Sequence, residues 1–247
     1  VSSLMKYSII IPAYNEEAAI KKAVEEVTRY FYALAPGDFE IIIIDDGSRD
    51  RTAEITKNLL SSIPEMRLLK NEVNFGKGYS VRRGILAASG EYILFLDADM
   101  STPVSEFEKF KDYLSDYDII IGSRAIFGAE IIKSQPRFKA FCGRLAGFCI
   151  RLILGLKIKD TQCGFKLFSR RAKEIFCLQK INRWGFDAEI LFLARRKGFR
   201  IKEVPIRWIN DETSSVKPVD YIKSFFDILK IRRDYFIGKY NNFGGKD

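Results

Sequence analysis

Phe39-Glu40-Ile41-Ile42-Ile43-Ile44-Asp45-Asp46-Gly47-Ser48 (FEIIIIDDGS) is the stretch on which the fold turns. Four consecutive isoleucines cannot alternate between a core and solvent, so a strand made of them is covered on both faces. Such strands belong to mostly parallel sheets with helices above and below. The run ends in two aspartates and Gly47-Ser48, which break the strand, and a helix is expected from about Asp50.

The same unit recurs on either side. Upstream, Tyr7 to Pro12 (YSIIIP) reads as a strand, and Asn15-Glu16-Glu17 then supplies a helix start with acids in its first turn. Downstream come a short strand at Arg67 to Asn71, a loop at Asn74-Phe75-Gly76-Lys77-Gly78 and a helix from Tyr79 to Ala88 closed by Gly90. Tyr92 to Leu96 (YILFL) is the next strand, ending in Asp97-Ala98-Asp99, and helix 104–115 and strand 118–122 complete the alternation. The pattern predicts an α/β fold: an open, Rossmann-like, mostly parallel twisted sheet with helices on both faces. Ligands of such sheets bind outside the carboxyl ends of the strands, where Asp45-Asp46, Asp97, Asp99 and Arg124 should converge. Beyond about residue 125 the alternation loosens into basic helical patterns.

Composition narrows the chemistry. The 247 residues carry 41 Lys and Arg against 32 Asp and Glu, a net charge of +9 that points to a polyanionic partner: nucleic acid, an anionic membrane surface or a phosphorylated substrate. There is no histidine, which removes the commonest general base and transition-metal ligand. Four cysteines without CxxC spacing suggest reduced thiols in a cytosolic compartment. A bound metal is therefore expected to be a hard ion held by oxygen. Asp97-Ala98-Asp99 offers two carboxylates at a strand end, suited to Mg²⁺ or Mn²⁺ clamping a pyrophosphate ester. Asp46 is placed to accept from a nucleotide's base or ribose, with Asp45 serving the turn. Gly76-Lys77-Gly78 lacks the spacing of a Walker motif, which leaves Lys77 a supporting role at the donor.

Taken together, Ile10-Ile11-Pro12-Ala13-Tyr14-Asn15-Glu16, Asp45-Asp46-Gly47-Ser48, Asn74-Phe75-Gly76-Lys77-Gly78, Asp97-Ala98-Asp99 and Gly122-Ser123-Arg124 resemble, in order, the motifs of the GT-A fold glycosyltransferases of family 2. The branch they resemble transfers a sugar to a polyprenyl phosphate, and the likeness covers roughly residues 7–218. It implies a nucleotide pocket of Pro12, Tyr14, Glu16, Ile44 and Asp46, and a diphosphate and metal site of Asp97, Ala98 and Asp99. Mannosyl-transferring relatives complete the metal shell with a Gln where this chain has Ser101. Asp160-Thr161-Gln162-Cys163-Gly164-Phe165-Lys166-Leu167-Phe168 and Arg183-Trp184-Gly185-Phe186-Asp187-Ala188-Glu189 look more like dolichyl-phosphate β-glucosyltransferases, which tilts the donor toward UDP-glucose over GDP-mannose. In that block Cys163, Phe165 and Phe168 are expected in the core, with Gln162, Lys166 and Asp187 facing the site.

The implied reaction is an inverting transfer of a hexose from the nucleotide-sugar to the lipid phosphate. A phosphate monoester, with a second pKa of about 6, is largely ionised at neutral pH and needs no strong base. Arg124, Arg137 and Lys217 are the candidates to hold it, Lys217 matching a family lysine. Asp187 is the candidate base for a hydroxyl acceptor; its other reading is a helix N-terminal acid. Lys133 to Lys159 and Tyr221 to Tyr240 interleave bases with apolar residues, as helices lying in an anionic membrane interface do; the competing reading is that they cap the sheet. No run has the ~20 apolar residues of a bilayer span. The expected organisation is a catalytic domain over 1–218 (nucleotide half about 5–124, acceptor half about 125–218), a membrane-associating helix over 219–240 and a flexible tail over 241–247, placed peripherally on the cytoplasmic side of a membrane. A nucleotidyltransferase would carry a Gly-rich basic loop after its first strand. A nucleic-acid-binding protein would leave both acidic clusters unexplained.

Overall fold

The computed structural model describes residues 5–133, 137–209 and 218–241. In chain order the elements are β1 (Tyr7–Ala13), α1 (Ile20–Leu34), β2 (Phe39–Asp45), α2 (Thr52–Leu60), β3 (Met66–Lys70), α3 (Lys77–Ala87), β4 (Tyr92–Leu96), α4 (Glu108–Lys111), β5 (Ile119–Ser123) and β6 (Glu130–Lys133). They continue with α5 (Arg137–Leu154), β7 (Phe165–Ser169), α6 (Glu174–Leu178), α7 (Phe186–Arg196), β8 (Ile201–Pro205), β9 (Arg207–Ile209) and α8 (Pro218–Phe236). The helix expected over 104–115 is shorter: a 3-10 turn at Val104–Phe107 runs into α4, and turns follow.

Seven strands form one sheet in the order β3-β2-β1-β4-β7-β5-β8, and β6 pairs with β9 apart from it. The chain builds outward from β1 through β2 to β3, then returns to lay β4 on the other side of β1. The loops after β1 and β4 therefore diverge and leave a crevice at their carboxyl ends. All pairings in the large sheet are parallel except those of β7, which runs antiparallel between β4 and β5. Because β7 is reversed, its first residues reach the edge where its neighbours end. The sheet thus crosses the boundary expected near residue 125.

The isoleucine run is buried on both sides, as its composition requires. Ile41 and Ile43 join Ile9, Ile11 and α1 residues Ile20, Val24, Val27 and Phe31 in one core layer. Ile42 and Ile44 join Ile10, Phe95 and residues of α3, α6 and α7 in the other. Each of these fully enclosed side chains contributes about 1.5–3 kcal/mol relative to exposure. The helices α5 and α8 divide their apolar residues. Ile150, Leu154, Ile228 and Ile231 enter the second core layer, while Leu145, Phe148, Leu152, Phe225, Phe226, Leu229 and Phe236 are exposed. Tyr240, just past α8, donates its hydroxyl to buried Glu189 of α7 at 2.6 Å. No described helix is long and apolar enough to cross a membrane.

Candidate active site

The crevice floor is set by two stitched loops. After β1, Asn15 takes the left-handed conformation (φ 57°); its N–H donates to Ser48 Oγ at 3.0 Å and its Oδ1 accepts from Arg49 N at 2.9 Å. Glu16 N donates to Thr52 Oγ1 at 2.8 Å. These bonds fix Tyr14 and Glu16 on the rim, beside the end of β2, with Tyr14 exposed and Pro12 buried. Ile44, expected in the nucleotide pocket, has its side chain in the core under Gly84 of α3, so only its backbone borders the crevice.

The two aspartates after β2 differ in role. Asp45 Oδ1 accepts from Ser48 N at 3.0 Å, the turn bond expected of it, while Oδ2 is buried without a partner. Asp46, expected at the nucleotide, is hydrogen-bonded to the loop that follows β3. Its Oδ1 accepts from Asn71 Nδ2 (2.7 Å) and Phe75 N (3.1 Å), and its Oδ2 from Gly76 N (2.8 Å). Through these bonds Asp46 positions Gly76 and the residue that follows.

That residue is Lys77, the first of α3. Gly76 has φ +108°, and a Cβ there would stand 2.5 Å from Asn182 O, so the chain passes tightly under the 182–183 segment. Lys77 Nζ lies 2.6 Å from Asp97 Oδ1, with the Phe95 and Trp184 ring centroids at 5.5 and 5.4 Å. Burial alone would lower its pKa; the charges of Asp97 and Asp187 outweigh that and keep the ammonium protonated. The supporting role expected of Lys77 understates its place at the centre of the charge cluster.

Asp97 N donates to Gly164 O at 3.1 Å, and Met100, in the left-handed conformation (φ 53°), donates its N–H back to Asp97 O at 3.2 Å, closing a turn that contains Asp99. Burial, then the charge of Asp97, pushes the Asp99 carboxyl up. Ser101, at the position where mannosyl-transferring relatives carry a metal-binding Gln, donates its N–H to Asp99 Oδ1 at 2.9 Å. No group of three or more Cys, Asp or Glu able to hold a metal occurs among the described residues. Two crowded carboxylates, one of them raised by the other's charge, do fit a hard divalent ion whose remaining ligands are substrate oxygens and water.

On the β7 side, Lys166 and Asp187 form a buried pair, Nζ to Oδ1 2.5 Å, with Lys166 also donating to Cys163 O. Burial raises the Asp187 pKa against the pull of Lys166 and Lys77. Asp187, the candidate base for a hydroxyl acceptor, is thus held in an ion pair with Lys166. Arg124, expected to hold the acceptor phosphate, is engaged as well. Its Nε and Nη2 donate to Asp160 Oδ2 and Oδ1 at 2.7 and 2.9 Å, and its guanidinium stacks over Trp208 at 5.3 Å. Arg137 opens α5 but its side chain is outside the described residues, as is Lys217. Cys163, Phe165 and Phe168 are buried, as expected of core positions.

A mostly parallel sheet with Asp-x-Asp at its switch point and a lysine on the first aspartate defines a glycosyltransferase of the GT-A type. Residues 8–176 match the family model for glycosyl transferase family 2. The chain is 37% identical over 243 residues to a dolichyl-phosphate beta-glucosyltransferase of Trichomonas vaginalis, covering 94% of this chain and 74% of that one. It is 34% identical over 256 residues to the protein of that name from Saccharomyces cerevisiae, covering 95% and 76%. Among solved structures it resembles mannosyl-3-phosphoglycerate synthase from Rubrobacter xylanophilus (TM-score 0.68, 16% identity, 98% of this chain and 77% of that one). It also resembles glucosyl-3-phosphoglycerate synthase from Mycobacterium tuberculosis in complex with Mn²⁺, UDP and glucosyl-3-phosphoglycerate (TM-score 0.62, 20% identity, 96% and 80%). The chain belongs to glycosyl transferase family 2.

Proposed function

We propose that this glycosyltransferase moves glucose from UDP-glucose to dolichyl phosphate or a closely similar polyprenyl phosphate, with inversion at the anomeric carbon. The observation that carries the reading is the Asp97, Asp99 and Lys77 cluster at the sheet's switch point, in a chain more than 30% identical to dolichyl-phosphate beta-glucosyltransferases over most of its length. Asp97 and Asp99 would hold Mg²⁺ or Mn²⁺, which when bound supplies the charge that stabilises the departing diphosphate. Lys77 adds a fixed ammonium on the same side, in a site partly screened from water by Phe95 and Trp184. An oxygen of the lipid phosphate bonds to the anomeric carbon as the bond to the diphosphate breaks, and UDP carries off the electron pair. The attacking oxygen is already ionised, so a protein base is not required, in keeping with a histidine-free chain and the locked Asp187.

The acceptor is bound to a lipid chain, and the exposed side chains of α5 and α8 support a peripheral seat on an anionic membrane. Leu145, Phe148 and Leu152 lie on one helix and Phe225, Phe226, Leu229 and Phe236 on its neighbour, accompanied by exposed Lys223, Lys230 and Arg233. Each base near such a surface adds about 1 kcal/mol.

The donor assignment is tested by offering radiolabelled UDP-glucose and, separately, GDP-mannose with dolichyl phosphate in detergent and Mn²⁺. Label in the organic phase from UDP-glucose alone is expected. Label from GDP-mannose alone would retain the mechanism and overturn the donor, and label from neither would overturn the acceptor.

A further inference from the structure

Lys77 occupies one of the two carboxylates that a cation would use. Its Nζ is 2.6 Å from Asp97 Oδ1, and the rings of Phe95 and Trp184 flank it at 5.5 and 5.4 Å. The stem that carries it is held from three directions: Gly76 N on Asp46, Tyr79 N on Asn182 O at 3.0 Å, and Gln179 Nε2 on Gly78 O at 2.8 Å. Of the other carboxylates whose charge it feels, Asp187 is already taken by Lys166 at 2.5 Å, and Asp99 is the second group the cation would use. An ammonium displaced by a cation seated on both Asp97 and Asp99 thus has no vacant carboxylate to move to and, at 21% exposure, would be poorly solvated unless an anion arrived with that cation.

We propose that Lys77 competes for Asp97 and thereby couples cation binding to diphosphate binding. When a nucleoside diphosphate enters with its divalent ion, Asp97 exchanges the ammonium for the ion and Lys77 exchanges the carboxylate for a diphosphate oxygen. No covalent bond changes. The ion alone binds weakly, because it must strip Lys77 of its partner. The diphosphate alone binds weakly, because Lys77 is already neutralised and Asp97 and Asp99 repel it. Each ligand therefore raises the affinity of the other by the same factor. The inference rests on the donor-site reading above and adds the order and cooperativity of loading.

The test uses the full chain and needs no acceptor. Free Mn²⁺ is followed by electron paramagnetic resonance in titrations with and without saturating UDP, for wild type, Lys77→Met and Trp184→Leu. Wild type is expected to bind Mn²⁺ at least about fivefold more tightly with UDP, the lower end of usual coupling. Lys77→Met is expected to bind Mn²⁺ alone at least about fivefold more tightly than wild type, with the UDP effect reduced by a similar factor. Trp184→Leu, which loosens the cage without changing charge, should shift Mn²⁺ binding the same way by about two- to fivefold, so the test survives if Lys77→Met does not fold. Unchanged or weaker binding of Mn²⁺ alone by the folded variants, with wild-type coupling intact, would overturn the competition and leave the donor site standing. No binding of Mn²⁺ with UDP to wild type would overturn both.

Discussion

Gly164 leaves the space that the Asp97 carboxylate fills: a Cβ on residue 164 would stand 1.8 Å from Asp97 Oδ2. Since Gly164 O also accepts the Asp97 N–H, the start of β7 fixes both the backbone and the rotamer of the first aspartate. Gly164→Ala should therefore displace the carboxylate. A shift of about 1 Å in a reacting group costs on the order of a hundredfold in rate. Transfer activity and Mn²⁺ affinity are expected to fall together while the unfolding temperature changes little, as read by a steady-state assay beside a thermal melt. Normal turnover in this variant would mean that Asp97 does not act from its present position.

The Lys166–Asp187 pair predicts non-additive stability. Both side chains are under a tenth exposed, so removing one partner strands a buried charge and costs about 3–5 kcal/mol. Lys166→Met and Asp187→Leu should each destabilise the chain by that amount in urea unfolding, and the double variant should recover most of the loss. Additive losses would show that the two groups are not paired.

Much of this architecture is legible in the sequence. The four isoleucines, the two acidic strand ends and the loop around Gly76 specify the parallel sheet and its ligand edge because burial on both faces and strand-breaking residues leave local marks. The reversed strand β7 leaves no such mark. Phe165 and Phe168 read as core and Lys166 as facing the site, whereas Lys166 is buried, and nothing local says that the strand runs antiparallel between β4 and β5. The partnerships that follow are likewise long-range: Asp160 with Arg124, Gly164 with Asp97, Trp184 over Lys77. One signal was available. A lysine inside an apolar run requires a buried partner, and an acid from another segment, Asp187, supplies it.

Glu40 gives the fold an acid limit. Its buried carboxylate accepts from Ser8 Oγ, from Ser89 N and Oγ, and from Arg67. Burial pushes its pKa up, and these donors outweigh that and hold it below the usual 4.5. A carboxyl lowered in the folded state stabilises above its unfolded pKa, and the contribution disappears as pH falls through the folded value. Urea unfolding from pH 7 down to about 3 should show wild type losing stability below about pH 4.5 more steeply than Glu40→Gln. Parallel curves would place the acid limit elsewhere.

The exposed apolar residues of α5 and α8 predict membrane partitioning. Leu152→Glu and Phe226→Glu should each reduce sedimentation with phosphatidylserine-containing vesicles, since each replaces an apolar contact by a charge that the surface repels. Transfer to a short, detergent-soluble polyprenyl phosphate should stay near the wild-type rate. Unaltered vesicle binding in both variants would assign the membrane contact to another surface.

In the proposed reaction Asp97 and Asp99, with a divalent ion, drive loss of the diphosphate. The most direct test is the Mn²⁺-dependent rate of lipid-extractable label from UDP-glucose and dolichyl phosphate, in wild type and in Asp99→Asn. Removing a group that stabilises charge in the transition state costs about 10²–10³ in rate. A loss of that size, in a variant whose melt matches wild type, is the predicted result. Near-normal transfer by Asp99→Asn at saturating donor would contradict the account.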